Sequence, residues 1–170
     1  MNQNNDLSKA WVHWMDVVLR EIVSLVQAGD YDRALIKIDG FLSHEKVPEF
    51  RSEALGFKAQ IKEQLGDVDS AKEALLVARS PVGPCYTRYV HELSLADISR
   101  RQQRPDEAIS WYRAALQTCI EGQGISGGTA LKGFLSVLGE KRLTPREHSL
   151  CAQVAKRSWQ VLGLPSAYLN

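Results

Sequence analysis

The chain has 170 residues, 44% of them apolar, with 21 basic against 20 acidic side chains and a net charge of +1. That is enough apolar chain for a packed core and too little overall charge to draw in nucleic acid or an anionic membrane, so either contact needs a local patch. Cys85, Cys119 and Cys151 are an odd number and widely spaced, which argues against a disulfide framework and for a reducing, cytoplasmic setting.

Helical period runs through almost every segment and strand alternation through almost none, which predicts an all-α protein with one domain over 1–170. The first helix is expected over 7–28, after the capping candidates Asp6 and Ser8. Trp11, Trp14, Val18, Ile22 and Leu25 form one apolar stripe, and Val12, Met15, Leu19, Val23 and Val26 form a second beside it. Asp16, Arg20 and Glu21 interrupt this stretch, so neither a signal peptide nor a membrane-inserted helix is expected. An arc this wide needs cover from the chain's own second hairpin, its C-terminal tail, a client protein, or a second copy forming a homodimer through this helix.

Gly29-Asp30 stops the first helix and a second follows over 31–42. The polar run Ser43 to Glu49, with Pro48, reads as a linker. A second hairpin pairs 50–65 with 68–79 and exits at Pro81 and Pro84; a third pairs 85–102 with 105–120. The glycine-rich stretch 121–128 then leads to a short helix with Leu131, Phe134, Leu135 and Leu138 on one face. Thr144-Pro145-Arg146-Glu147 combines a capping box with proline at the first helical position. In the helix it opens, over 146–162, Ala152, Ala155, Trp159 and Leu162 are expected to face inward. Arg146, Gln153, Lys156, Arg157 and Gln160 then face out, as a terminal cap requires.

Three of these hairpins share a register. GDYDRAL at 29–35, GDVDSAK at 66–72 and QRPDEAI at 103–109 place Ala34, Ala71 and Ala108 at intervals of 37 residues. The same interval relates Ile38, Leu75 and Tyr112, and also Phe41, Ala78 and Ala115. A constant step of this size marks helical hairpins too small to bury their own apolar faces.

With this register the chain resembles the tetratricopeptide repeats, in which Gly-Asp-Tyr precedes the second helix and alanine follows at the twentieth position. The eighth position, usually small, holds Ile22, Ala59 and Ala96. The step departs from the usual period of about 34. Glu92 stands where a large apolar residue is wanted, and Lys62 and Ser99 where tyrosine is common. The resemblance implies an α-α superhelix of about eight helices in four antiparallel hairpins. Its repeats fall at about 15–48, 50–84 and 85–121, with a capping hairpin over 127–163.

It also implies a partner-binding groove on the first helices. The positions that fall there are Leu19 and Val23, then Gly56, Phe57 and Gln60, then Val90, Leu93, Asp97, Arg100 and Arg101. Phe57 and Leu93 are equally readable as core. Family members that clamp a terminal carboxylate use lysine, asparagine and arginine at positions held here by Leu19, Val23, Phe57, Val90 and Ser94, which argues against that function. Trp11 and Trp14 make the first helix a second candidate surface. Arg88, Arg100, Arg101 and Arg104 form a basic group in the third hairpin, suited to acidic protein segments more than to nucleic acid, since no aromatics interleave with it.

Chemistry finds little support. Gly122-Gln123-Gly124-Ile125-Ser126-Gly127 matches G-x-G-x-x-G, but a helix, not a strand, precedes it, so a hairpin connection is expected. His148 and Cys151 are two ligands short of a zinc site and have no third group to orient a nucleophile. Leu143 to Glu147 shares five letters with the opening of LuxR-type helix-turn-helix domains, and the match ends there. No metal, cofactor or catalytic residue is expected. The expectation is a non-enzymatic adaptor, chaperone or regulatory subunit that binds a peptide or helix of another protein. An immunity-type neutralising partner is the alternative. A nucleotide-binding or enzymatic protein using the Gly122–Gly128 loop is the alternative from another class.

Overall fold

The computed structural model describes residues 14–79, 85–139 and 143–161, and among them every regular element is helical. The chain divides into two compact units, Met1–Val82 and Gly83–Asn170. The capping candidates Asp6 and Ser8, and also Trp11, Pro81, Pro84, Leu162 and Gly163, lie outside the described residues.

In the first unit a π-helical segment, Trp14–Leu19, runs into α1, Arg20–Gln27. Then come α2, Tyr31–His44, α3, Pro48–Gln64, and α4, Val68–Ala78. The core of this unit gathers Val18, Ile22, Ala34, Ile38, Phe50, Ala54 and Ile61. Ile22 and Ile38 are fully buried, and each contributes about 1.5–3 kcal/mol from transfer out of water. α4 turns Ala71, Ala74, Leu75 and Ala78 inward, and Ser52 Oγ on α3 donates to the Ala78 carbonyl at 2.7 Å.

The linker expected over Ser43 to Glu49 shrinks to three residues, because α2 continues to His44 and α3 starts at Pro48. Proline is pre-set for the first helical position, so it opens α3 where the sequence pattern suggests a break. Glu45 Oε1 accepts the Lys46 and Val47 amides, both at 2.7 Å, and fixes the short corner.

The second unit consists of α5, Cys85–Arg101, α6, Pro105–Glu121, α7, Gly128–Leu138, and α8, Pro145–Val161. α6 is its centre: α5, α7 and α8 all pack on it. Its core gathers Tyr89, Ala96, Ala108, Tyr112, Ala115, Leu116, Cys119, Phe134 and Val154.

The 37-residue register is visible in the backbone. Gly29, Gly66 and Gln103 all take positive φ, at 74°, 78° and 57°. The next amides, of Asp30, Asp67 and Arg104, donate to the carbonyls of Leu25, Lys62 and Ser99, each at 2.9 Å, while those of Gly29, Gly66 and Gln103 reach Val26, Glu63 and Arg100. This paired closure satisfies the orphan carbonyls at a helix C-terminus. Ala34, Ala71 and Ala108 have no exposed surface, and Ile22, Ala59 and Ala96 are buried too.

The third turn is the weak copy. Asp30 and Asp67 accept the amides of Arg33 and Ser70 at 3.3 Å, whereas Arg104, at the equivalent position, makes no side-chain cap. Gln103 also holds the left-handed conformation without glycine's freedom. Gln103→Gly combined with Arg104→Asp therefore raises stability by about 1–2 kcal/mol, a rise in thermal midpoint of about 3 °C per kcal/mol. Differential scanning calorimetry of the single and double variants checks this.

The faces of α8 differ from expectation. Its buried side carries Glu147, Leu150, Cys151, Val154, Arg157 and Ser158, while Ala152 and Ala155 point to solvent. The alanines are apolar but small, and the inward stripe is instead polar at both ends because those groups find partners. Arg157 donates to the carbonyls of Ile120 and Gly122, and Ser158 to that of Ser126.

The capping box forms as read. The Thr144 amide donates to Glu147 Oε2 at 2.9 Å, and the Glu147 amide to Thr144 Oγ1 at 3.3 Å. Arg113 Nη2 adds a 2.5 Å contact to the other carboxylate oxygen. The Thr144 backbone amide first, and then Arg113, hold the Glu147 carboxyl down at about 2, below its ordinary 4.5. A depressed acid stabilises the fold above its unfolded pKa and loses that contribution as pH falls toward the folded one. Glu147→Gln thus lowers stability at neutral pH by about 1 kcal/mol. The gap between variant and wild type in urea denaturation should narrow between pH 4.5 and 2.

Candidate functional site

Of the residues expected in the groove, Val23, Phe57 and Gln60 come together in the first unit. They line a cleft of about 270 Å³ between α1 and α3 that also takes in Val26, Tyr31 and the glutamines at 27 and 64. Val23 is 37% exposed, Gln60 is exposed, and Phe57 is half-buried, resting partly on the core while bordering the cleft. Leu19 is half-buried against the core. Trp14 opens the π-helical segment. The cleft lining has an apolar floor, three carboxamides and one phenol, and no charged side chain.

Val26, Gln27, Tyr31 and Gln64 are absent from the sequence-based site. Gln27 and Gln64 end their helices at equivalent points, 37 residues apart, so the register already pointed to them. Val17 and Ile36, 51% and 72% exposed, flank a separate hollow of about 680 Å³ between the π-helical segment, α1 and α2.

In the second unit Leu93 is half-buried against the core, and Asp97, Arg100 and Arg101 lie on the last turns of α5. Tyr112 Oη donates to Asp97 Oδ1 at 2.5 Å, Arg100 Nε stands 3.6 Å from the same oxygen, and Arg101 Nε donates to the Asp97 carbonyl at 3.3 Å. Burial first, and then the Asp97 bond, push the Tyr112 phenol up to about 12, so the proton stays on the phenol oxygen and is shared with that carboxylate as a hydrogen bond. Arg104 pairs with Glu107 at 3.6 Å.

Arg88 does not belong to this group. It sits on the first turn of α5, donates from Nε to Thr118 Oγ1 at 3.2 Å and pairs with Glu121. Thr118 Oγ1 in turn donates a hydrogen bond to Glu92 Oε2 at 2.6 Å, and Glu92 is 1% exposed. The charged residue at an apolar position of the repeat is therefore accommodated by a hydrogen-bonded chain, since an unsatisfied buried carboxylate would be strongly destabilising. Helical spacing places Arg88 and Glu92 on one face of α5, but nothing local in the sequence announces Thr118.

The glycine-rich loop is occupied by packing. A Cβ on Gly122 would stand 2.8 Å from both Cys85 and Ile125, and one on Gly127 would stand 2.5 Å from Cys119 Sγ. Gly122 and Gly127 let chain and core approach closely, while Gly124 and Gly128 have open space around a Cβ. Among the described residues no three His, Cys, Asp or Glu converge on a metal position. Burial pushes the thiols of Cys119 and Cys151 up, which is opposite to what a nucleophile needs, and His148 is exposed. No helix among the described residues is long and apolar enough to cross a membrane.

Among the described residues the arrangement offers surfaces for another molecule. Comparison with known proteins agrees in kind: the tetratricopeptide repeat family model matches residues 52–76, which cover most of α3 and α4. No curated protein and no solved structure matches the chain. Such repeats act in general as protein–protein interaction modules. With its helical hairpins and the repeat matched in the second of them, the protein is tetratricopeptide-like.

Proposed function

We propose that this protein is a non-enzymatic adaptor, chaperone or regulatory subunit that binds a peptide or helix of another protein through the cleft between α1 and α3. The single observation behind this reading is the convergence of Val23, Phe57 and Gln60 on one apolar-floored cleft. An apolar side chain of the partner would fill the floor, and the glutamine carboxamides would satisfy its backbone. Asp97, Arg100 and Arg101 form a second, charged contact area of the same reading. Residues 15–48, 50–84 and 85–121 serve as the repeats and 127–163 as the cap. Free thiols at all three cysteines support a cytoplasmic setting.

The test begins by capturing the partner on the immobilised protein and identifying it by mass spectrometry. Its affinity is then measured against Val23→Glu combined with Gln60→Glu. Both side chains are exposed, so the thermal midpoint should hold while affinity falls about tenfold or more. Arg100→Glu with Arg101→Glu should weaken binding less. Unchanged affinity in the first variant would remove the cleft from the site.

A second reading, homodimerisation through the first helix, draws on the exposed Val17 and Ile36 beside their hollow. Sedimentation velocity of Val17→Lys with Ile36→Lys separates the two readings, since only a dimer would shift to a slower species.

A further inference from the structure

We propose that the groove between α6 and α8 is a second docking surface, made for an acidic amphipathic segment of another protein. Two adjoining hollows, of about 850 and 470 Å³, share Ile120 and Gln153 and so continue into one another along α8. Their floor is apolar, at the half-buried Ala114, Ile120 and Leu150.

The charge around this floor is one-sided. Arg113, Arg146, Lys156 and Arg157 line the two hollows against a single carboxylate, Glu147, in a chain whose charges otherwise nearly cancel. That carboxylate is already engaged by Arg113 and by Thr144. Arg157 donates to the carbonyls of Ile120 and Gly122, which are neutral acceptors and do not offset its charge. Arg146 and Lys156 are exposed, about three turns apart along α8.

A partner segment with carboxylates along its edges and an aliphatic side chain beneath them complements both the floor and the walls. Nucleic acid fits less well, because among the described residues no aromatic ring lines either hollow to stack on a base. The 17 residues of α8 offer about 25 Å of groove, long enough to seat a helix of about 15 residues. This surface shares no residue with the cleft between α1 and α3, so the two assignments stand or fall separately.

The probe is a fluorescein-labelled peptide of about 15 residues with glutamates on one face and leucines on the other, followed by anisotropy against the full chain. Two controls accompany it: the same peptide with glutamine for glutamate, and an oligothymidylate of equal charge. The acidic peptide should bind, more weakly as salt rises. Arg146→Glu with Lys156→Glu should cut affinity about tenfold or more at unchanged thermal midpoint. Lys46→Glu with Lys132→Glu, the same charge change at exposed positions away from the groove, should leave it intact. The proposal is overturned by no binding, by equal binding of the glutamine peptide, by an Arg146/Lys156 reversal without effect, or by tighter binding of the oligothymidylate.

Discussion

Ala71→Arg unfolds the second hairpin, with a loss of about 3 kcal/mol or more that urea denaturation followed by circular dichroism will read. Ala71 has no exposed surface and sits on the first turns of α4, facing inward with Ala74, Leu75 and Ala78. The arginine stem would need volume that a close-packed interior lacks, and its guanidinium would be carried away from water. Val77→Arg, on the 62% exposed side of the same helix, is the matched control and should stay within about 0.5 kcal/mol of wild type. A stable Ala71→Arg protein would contradict the register from which the whole fold is read.

The second large effect is expected at the glycine-rich loop. Gly127 takes φ of 69°, and a Cβ there would meet Cys119 Sγ at 2.5 Å and Val154 Cγ1 at 2.8 Å. Gly127→Ala therefore combines the left-handed penalty of about 1–2 kcal/mol with an overpacking term of about 1–3 kcal/mol. Its neighbour is the contrast. Gly128 has open space around a Cβ and begins α7, so Gly128→Ala should be neutral or stabilising by up to about 1 kcal/mol. Thermal melts of the pair separate a packing role from a binding role. If the loop instead cradled a phosphate, Gly127→Ala would spare stability and abolish nucleotide-dependent stabilisation.

The hairpins were legible because their signals are local and repeated. In the first two copies aspartate before the second helix and glycine at the left-handed position, and in all three an alanine, recur at one step. The capping box at Thr144 was legible for the same reason, since its two partners lie within one turn. What stayed hidden depends on distant contacts. The buried stripe of α8 contains Glu147 and Arg157, which hydropathy assigns to solvent, and their partners Arg113 and Ile120 lie on another helix. Arg88 looked like one member of a basic group until α6 supplied Thr118 and Glu121 for it. Of the proposed cleft, Val23, Phe57 and Gln60 follow from the resemblance to tetratricopeptide repeats, whereas the proposed α6/α8 groove needed the pairing of two helices far apart in sequence.

Native-state hydrogen exchange tests the central claim most directly, namely that one helical hairpin is built three times at a fixed step. The amides of Asp30, Asp67 and Arg104 each donate to the carbonyl five residues back at 2.9 Å, and Ala34, Ala71 and Ala108 each bond one turn back from a fully buried position. All six should exchange far more slowly than open chain, with the three members of each set alike in kind. Protection at residues 30, 34, 67 and 71 with open-chain exchange at 104 and 108 would contradict a third copy, and open-chain exchange at all six would contradict the hairpins themselves.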